Sequence, residues 1–148
     1  MGDRSNIVIE NTYGEVPSRV YLYAHWSGES IIESAVHGLN SGRATDSEYL
    51  ARVVFENMVK DDLGSETGFG IAARLGDNEH PILVISDTQA DGTVVYFEDQ
   101  REYGETFEVA TKKIPYKDFL TIIGSIEGWQ TKAESNELYK PLMALMAK

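Results

Sequence analysis

The chain has 148 residues, no cysteine and a formal net charge of −11. That length suits one domain, read here as spanning residues 1–148, with a core large enough to need no covalent staple. Without cysteine it has no disulfide, thiolate metal site or cysteine nucleophile, and its charge repels phosphate backbones and anionic lipid, which excludes non-specific nucleic-acid binding.

Residues 1–6 contain no apolar run, so no secretory signal is expected, and no stretch approaches the about eighteen apolar residues of a membrane span. The expected location is cytoplasmic.

Asn6–Glu10 is a β-branched run that predicts a first strand, and Arg19–Trp26 predicts a second, antiparallel to it. Ser30-Ile31-Ile32-Glu33 and Thr45-Asp46-Ser47-Glu48 have capping-box spacing and predict two helix starts. The first helix carries Ile31, Ile32, Ala35, Val36 and Leu39 and ends across Gly38–Gly42; the second carries Leu50, Val53, Val54 and Met58. Together they make an αα-hairpin packed on one face of a sheet.

Strand patterns return at Phe69–Leu75, Ile82–Ser86, Thr93–Phe97 and Thr106–Ala110, separated by Gly-Asp-Asn, Asp-Gly and Tyr-Gly turn signals. They read as an antiparallel meander. Pro115 marks the start of a C-terminal helical segment, residues 115–148, whose last stretch Ala133–Lys148 is expected to kink or restart at Pro141. The fold class is α+β: an antiparallel sheet of about five to six strands, with the hairpin and the C-terminal helices on one face.

Several segments, Tyr21-Leu22-Tyr23-Ala24-His25-Trp26-Ser27-Gly28, Tyr49–Phe55, Met58–Asp62, Glu66–Ile71 and Asp77–Pro81, resemble a family of small uncharacterised proteins encoded by tailed phages and by prophage-bearing bacteria. The resemblance covers about two thirds of the chain and stops near Glu98. It implies a setting and no mechanism: such proteins commonly bind a host enzyme or capture a nucleotide signal.

Two segments suggest ligands. At Trp26-Ser27-Gly28-Glu29-Ser30 a strand hands over to a helix, where free amides attract anions, Gly28 permits close approach and Trp26 offers a stacking plane. His25, Ser27 and Ser30 add donors; Arg52, Thr67 and Gly68 complete the expected pocket. Glu29 and Glu33 would repel a phosphate, and the opposing reading is that Ser30 is a helix cap and Trp26 a core or rim aromatic. The second segment is calcium-like, with Asp87, Gln89, Asp91, Gly92 and Glu98 at EF-hand positions, but its flanks read as strands and Asp91-Gly92 as a hairpin turn.

The Gly68-x-Gly70 pair follows a helix and precedes a strand, the reverse of a dinucleotide or Walker loop. His25, His37 and His80 lack metal spacing, no nucleophile elbow occurs, and no cofactor is implied. The expected function is therefore a non-enzymatic, phage-type accessory protein that binds, and in one version sequesters, a small anionic or nucleotide-like ligand. The alternatives are an acidic inhibitor of a host protein and a small hydrolase. The C-terminal Leu/Met stripe, with Met143 and Met146, packs on the chain's own sheet or in a homo-oligomer.

Overall fold

The structure, a computed structural model, describes residues 2–100 and 107–148. The strands are β1 (Ser5–Asn11), β2 (Ser18–Ala24), β3 (Phe69–Ala72), β4 (Ile82–Thr88), β5 (Gly92–Gln100), β6 (Phe107–Val109) and β7 (Ile114–Pro115). The helices are α1 (Ile32–Leu39), α2 (Ser47–Val59), α3 (Tyr116–Gly124), α4 (Trp129–Glu134) and α5 (Tyr139–Met146). Thr106 and the Tyr-Gly turn signal before it lie outside the described residues. The α+β class and the packing of helices on one face are as the sequence predicts.

The sheet order is β3-β2-β1-β4-β5-β6, with β7 also pairing β5. Every pairing is antiparallel except β1 with β4, where Ile7 faces Leu83 and Ile9 faces Ile85 in a parallel register. A simple meander is ruled out by the route of residues 73–81. β3 runs in the direction of β1 on the far side of β2, so the chain must cross two strands before β4 begins. It crosses on the face opposite the helices. Asn6 Nδ2 holds the crossover by donating to the Asp77 carbonyl at 2.9 Å, and the Glu79 amide donates to the Arg4 carbonyl at 2.9 Å. The crossing segment thus enters β4 alongside β1 and in its direction.

Strand alternation then sorts the two faces. Ile7, Ile9, Leu22, Leu83, Ile85, Val95 and Phe97 meet the buried stripes of α1, α2, α3 and α5. On the other face Val8, Tyr21, Ile82, Val84 and Tyr96 form a second cluster, against which Leu75 of the crossover packs. β1 and β4 are buried on both faces, which explains their near-continuous apolar runs.

The second face carries a polar cluster that the sequence reading did not single out. Arg19 donates to Glu10 Oε2 at 2.5 Å and to Glu98 Oε2 at 2.9 Å, and reaches the Tyr96 hydroxyl at 3.4 Å. Ser86 Oγ donates to Glu10 Oε1 at 2.8 Å. In a flat sheet β2 and β5 would lie roughly 14 Å apart, so this contact requires the sheet to curl across its second face. Burial opposes the Arg19 charge, but its bonds to Glu98, Tyr21 and Glu10 more than offset that, and its pKa is raised.

Local starts and stops differ from the sequence expectations. A 3-10 turn, Gly28–Ile31, precedes α1, so Ser30 already lies in helical backbone and its hydroxyl donates back to the Ser27 carbonyl instead of capping. Asp46, not Thr45, is the extended N-cap residue of α2. Gly38 belongs inside α1: a β-carbon there would collide with Val54 and press on Leu50 of α2. It sets the helix–helix distance. We expect Gly38→Ala to lower stability by about 1–3 kcal/mol through overpacking, despite its better helix propensity, in urea unfolding.

Pro115 is the N-cap of α3, with φ −55° and ψ 143°, and the C-terminal stretch breaks at Asn136 (φ 58°) instead of Pro141. Pro141 falls in the first turn of α5, where its missing N–H has no intrahelical partner to lose. Leu138, Leu142 and Met146 are buried in the chain's own core.

Candidate functional site

β2 ends at Ala24, and the His25 amide continues the pairing by donating to the Gly68 carbonyl at 2.9 Å. The Tyr23 hydroxyl lies 2.6 Å from His25 Nδ1, which fixes the imidazole. Trp26 stands edge-on to that ring, with centroids 4.6 Å apart, and is 61% exposed. Gly68, at φ +98°, lies against the indole; a β-carbon there would sit 3.3 Å from the Trp26 ring. His25, Trp26 and Gly68 therefore come together. Ser27 and Ser30 line a hollow of about 250 Å³ beside them, together with Glu33, Asn57, Asp61 and Glu134.

The amides at this junction are not free. Gly28 N–H donates to the Asp3 carbonyl at 2.9 Å, Glu29 N–H to Asn136 Oδ1 at 2.9 Å, and Ser30 N–H to the Ser27 carbonyl at 2.9 Å. Glu33, Asp61 and Glu134 ring the hollow, against Lys60 as its basic lining residue. The expected anion-binding helix start is therefore replaced by internal bonds and surrounded by carboxylates. Arg52 is not at this hollow: its side chain is 77% exposed and lies 3.7 Å from Glu56 on α2. Thr67 is exposed, and its amide and carbonyl both bond to Ser65 Oγ.

The calcium arrangement of Asp87, Gln89, Asp91 and Glu98 does not form. β4 and β5 make a hairpin whose three-residue loop is closed by Gly92 at φ +70°. Glu98 pairs opposite Ile82, about 20 Å along the strand from that loop, and is held by Arg19. Strand alternation puts Asp87 on the other face, where it accepts from the Tyr13 hydroxyl at 3.2 Å.

Gly28, at φ +51°, sits in a tight polar hub; a β-carbon on it would strike the carboxylate of Asp3 and the side-chain amide oxygen of Asn136. Asp3 Oδ1 lies 2.6 Å from His80 Nε2, and Asp3 Oδ2 accepts from Asn136 Nδ2 at 2.7 Å. Both oxygens of this Asp–His pair thus have structural partners. Buried Glu29 accepts from the Leu138 and Tyr139 amides. No local pattern announces these contacts, because the partners lie at opposite ends of the chain.

Burial pushes the Asp3 carboxyl up, but the hydrogen bonds with Asn136 and His80 overturn this and leave its pKa lowered. The Arg4 amide and guanidinium likewise hold Glu79 below its usual range. Lowered carboxylates contribute stability that is complete above the ordinary carboxylate pKa of about 4 and is lost as pH falls through their folded values. We expect Asp3→Asn/Glu79→Gln to flatten the fall of the urea midpoint below about pH 4; an unchanged acid limb would remove both groups from acid unfolding.

A larger concavity follows α2. One hollow of about 290 Å³ is lined by Ile9, Asn11, Val20, Ser47, Glu48 and Ala51. It shares Val20 and Ala51 with a second of about 520 Å³, bounded by Leu22, Arg52, Phe55, Glu56 and Ile71. The two form one groove, walled by α2 and floored by β2 and β3. Its cause is local: β3 lies at the sheet edge, and although Phe69 packs against the core, Ile71 on the same face is left 59% exposed. Sequence reading placed Arg52 at the Trp26 pocket and did not foresee this groove, which depends on how α2 lies over the sheet margin.

No helix among the described residues is long and apolar enough to cross a membrane, and no cluster of three or more His, Asp or Glu among them is arranged to hold a metal. No family model, curated protein or solved structure matches the chain.

Proposed function

We propose that this chain is a non-enzymatic binding protein that takes an apolar segment of a partner protein into the groove between α2 and β2–β3. The supporting observation is the open apolar surface, in which Val20 and Ile71 of the floor and Phe55 of the wall line a hollow of about 520 Å³ over buried Leu22. An apolar surface of this kind at a sheet margin favours association. The segments that carry the phage-family resemblance include Tyr21–Gly28, Tyr49–Phe55 and Glu66–Ile71, which supply much of the wall and floor. That resemblance favours a host protein as the partner.

A photo-crosslinking residue at position 71, with exposed Glu127 as the control position, tests this in host lysate. A partner joined from position 71 and not from 127 is identified by mass, purified and titrated. Ile71→Glu is expected to weaken its binding at least about tenfold, the equivalent of about 1.4 kcal/mol. Equal binding by the variant overturns the proposal.

A second reading keeps the small ligand, on the strength of the exposed Trp26 indole beside the Ser27–Ser30 hollow. Glu33, Asp61 and Glu134 weigh against a phosphate there and in favour of a neutral or cationic ring. Stabilisation by a panel of nucleosides and cationic heterocycles that Trp26→Ala abolishes would favour this reading over the groove.

A further inference from the structure

We infer that the segment held by the groove is a basic amphipathic α-helix, which lies beside α2 and completes the helical layer over β3. This rests on the groove reading above and adds the conformation and charge of the occupant.

The conformation follows from where an occupant's backbone could bond. One wall of the groove is α2, whose main-chain groups are paired within the helix. Its floor is the face of β2 and β3, whose paired groups bond in the plane of the sheet. An extended peptide lying over this face, as opposed to one added to the open outer edge of β3, would leave its own N–H and C=O groups without protein partners, a costly loss where they are desolvated. A helix brings its backbone bonds with it. The dimensions agree: the helix wall from Ser47 to Glu56 is about 15 Å long, nearly three helical turns.

The location makes the same point. α1 and α2 cover the centre of the sheet, while β3 keeps Ile71 exposed and Phe69 half-buried on the helix side. A further helix packed against α2 at the usual 8–10 Å axial spacing would cover both. Its apolar residues at i, i+3, i+4 and i+7 would meet Val20, Phe55 and Ile71.

The charge follows from the surroundings. Of the two cations that line the groove, Arg19 is held by Glu10 and Glu98 and Arg52 lies near Glu56, while Glu48 marks one end of the groove and Asp61 and Asp62 lie past the other. The whole chain carries −11. Lysine or arginine on the flanks of the incoming helix complements this field and steers its approach. A second copy of the chain would bring another −11 against the first, so the charge favours a foreign partner.

Three synthetic peptides of about fourteen residues test the inference against isotope-labelled protein by NMR titration. One places leucine at helical spacing among lysines, the second alternates the same leucines and lysines, and the third keeps the helical stripe with glutamate in place of lysine. The helical lysine peptide is expected to shift Val20, Phe55 and Ile71, to bind at least tenfold tighter than either comparator, and to lose at least tenfold on Ile71→Glu. Equal or tighter binding by the alternating peptide at the same residues overturns the helix but leaves the groove. Equal binding by the glutamate peptide overturns the charge complement. Shifts elsewhere that ignore Ile71→Glu, or no shifts at all, overturn the inference; the groove reading then depends on crosslinking from position 71.

Discussion

Arg19→Met is expected to lower the unfolding free energy by about 3–5 kcal/mol, a large share of the roughly 5–15 kcal/mol that holds a domain of this size together. Arg19 is the cation between Glu10 and Glu98, whose side chains are 8% and 7% exposed. Methionine keeps much of the packing but leaves both carboxylates buried without their counter-charge. Arg19→Met/Glu10→Gln/Glu98→Gln should recover most of the loss, because replacing a whole buried ion cluster costs far less than removing one partner. Urea unfolding between pH 5 and 8 checks this. If the single variant matches the parent at every pH, the cluster is not what closes the second face.

The same cluster shows which parts of the fold were legible in the sequence. Apolar and β-branched runs located β1, β2, β4 and β5, and helical spacing identified the α2 stripe of Leu50, Val54 and Met58, because burial leaves a local signature. Glu10 and Arg19 sit at facing ends of two strands expected to pair, so part of the cluster was within reach. Ending the β5 pattern at Phe97 left out Glu98, the residue that reveals the curl. The parallel pairing of β1 with β4 had no local signature. It depends on residues 73–81 crossing the sheet: 73–75 read as the end of a strand, which in the structure stops at Ala72, and the polar 76–81 read as an ordinary turn.

The candidate site was legible in the same uneven way. An exposed Trp26 next to His25 and Gly68 follows from a strand that ends in aromatics and meets a glycine turn. The fate of the amides did not follow, because Asp3 and Asn136 reach them from the two ends of the chain. Arg52 looked like a ligand group when taken as a lone cation on α2. In the fold it lies near Glu56 and stands on the groove wall.

Glu29→Ala is the second large effect, about 2–4 kcal/mol of lost stability, or on the order of 10 °C in Tm. One oxygen of this buried carboxylate accepts the Leu138 amide at 2.6 Å and the Tyr139 amide at 3.0 Å, at the start of α5. It thereby caps a helix more than a hundred positions away in the chain, and its charge lies favourably against that helix's N-terminal dipole. Alanine leaves both N–H groups, beside the buried side chains of Leu138 and Leu142, without their acceptor. Glu29→Gln keeps one carbonyl acceptor and should recover part of the loss. Glu33→Ala removes the exposed acid of the predicted capping box and should change Tm by no more than about 2 °C. If Glu33→Ala instead costs as much as Glu29→Ala, a local cap at Ser30 holds this junction, and the long-range tie between the first turn and the last helix is not what secures the C-terminal segment.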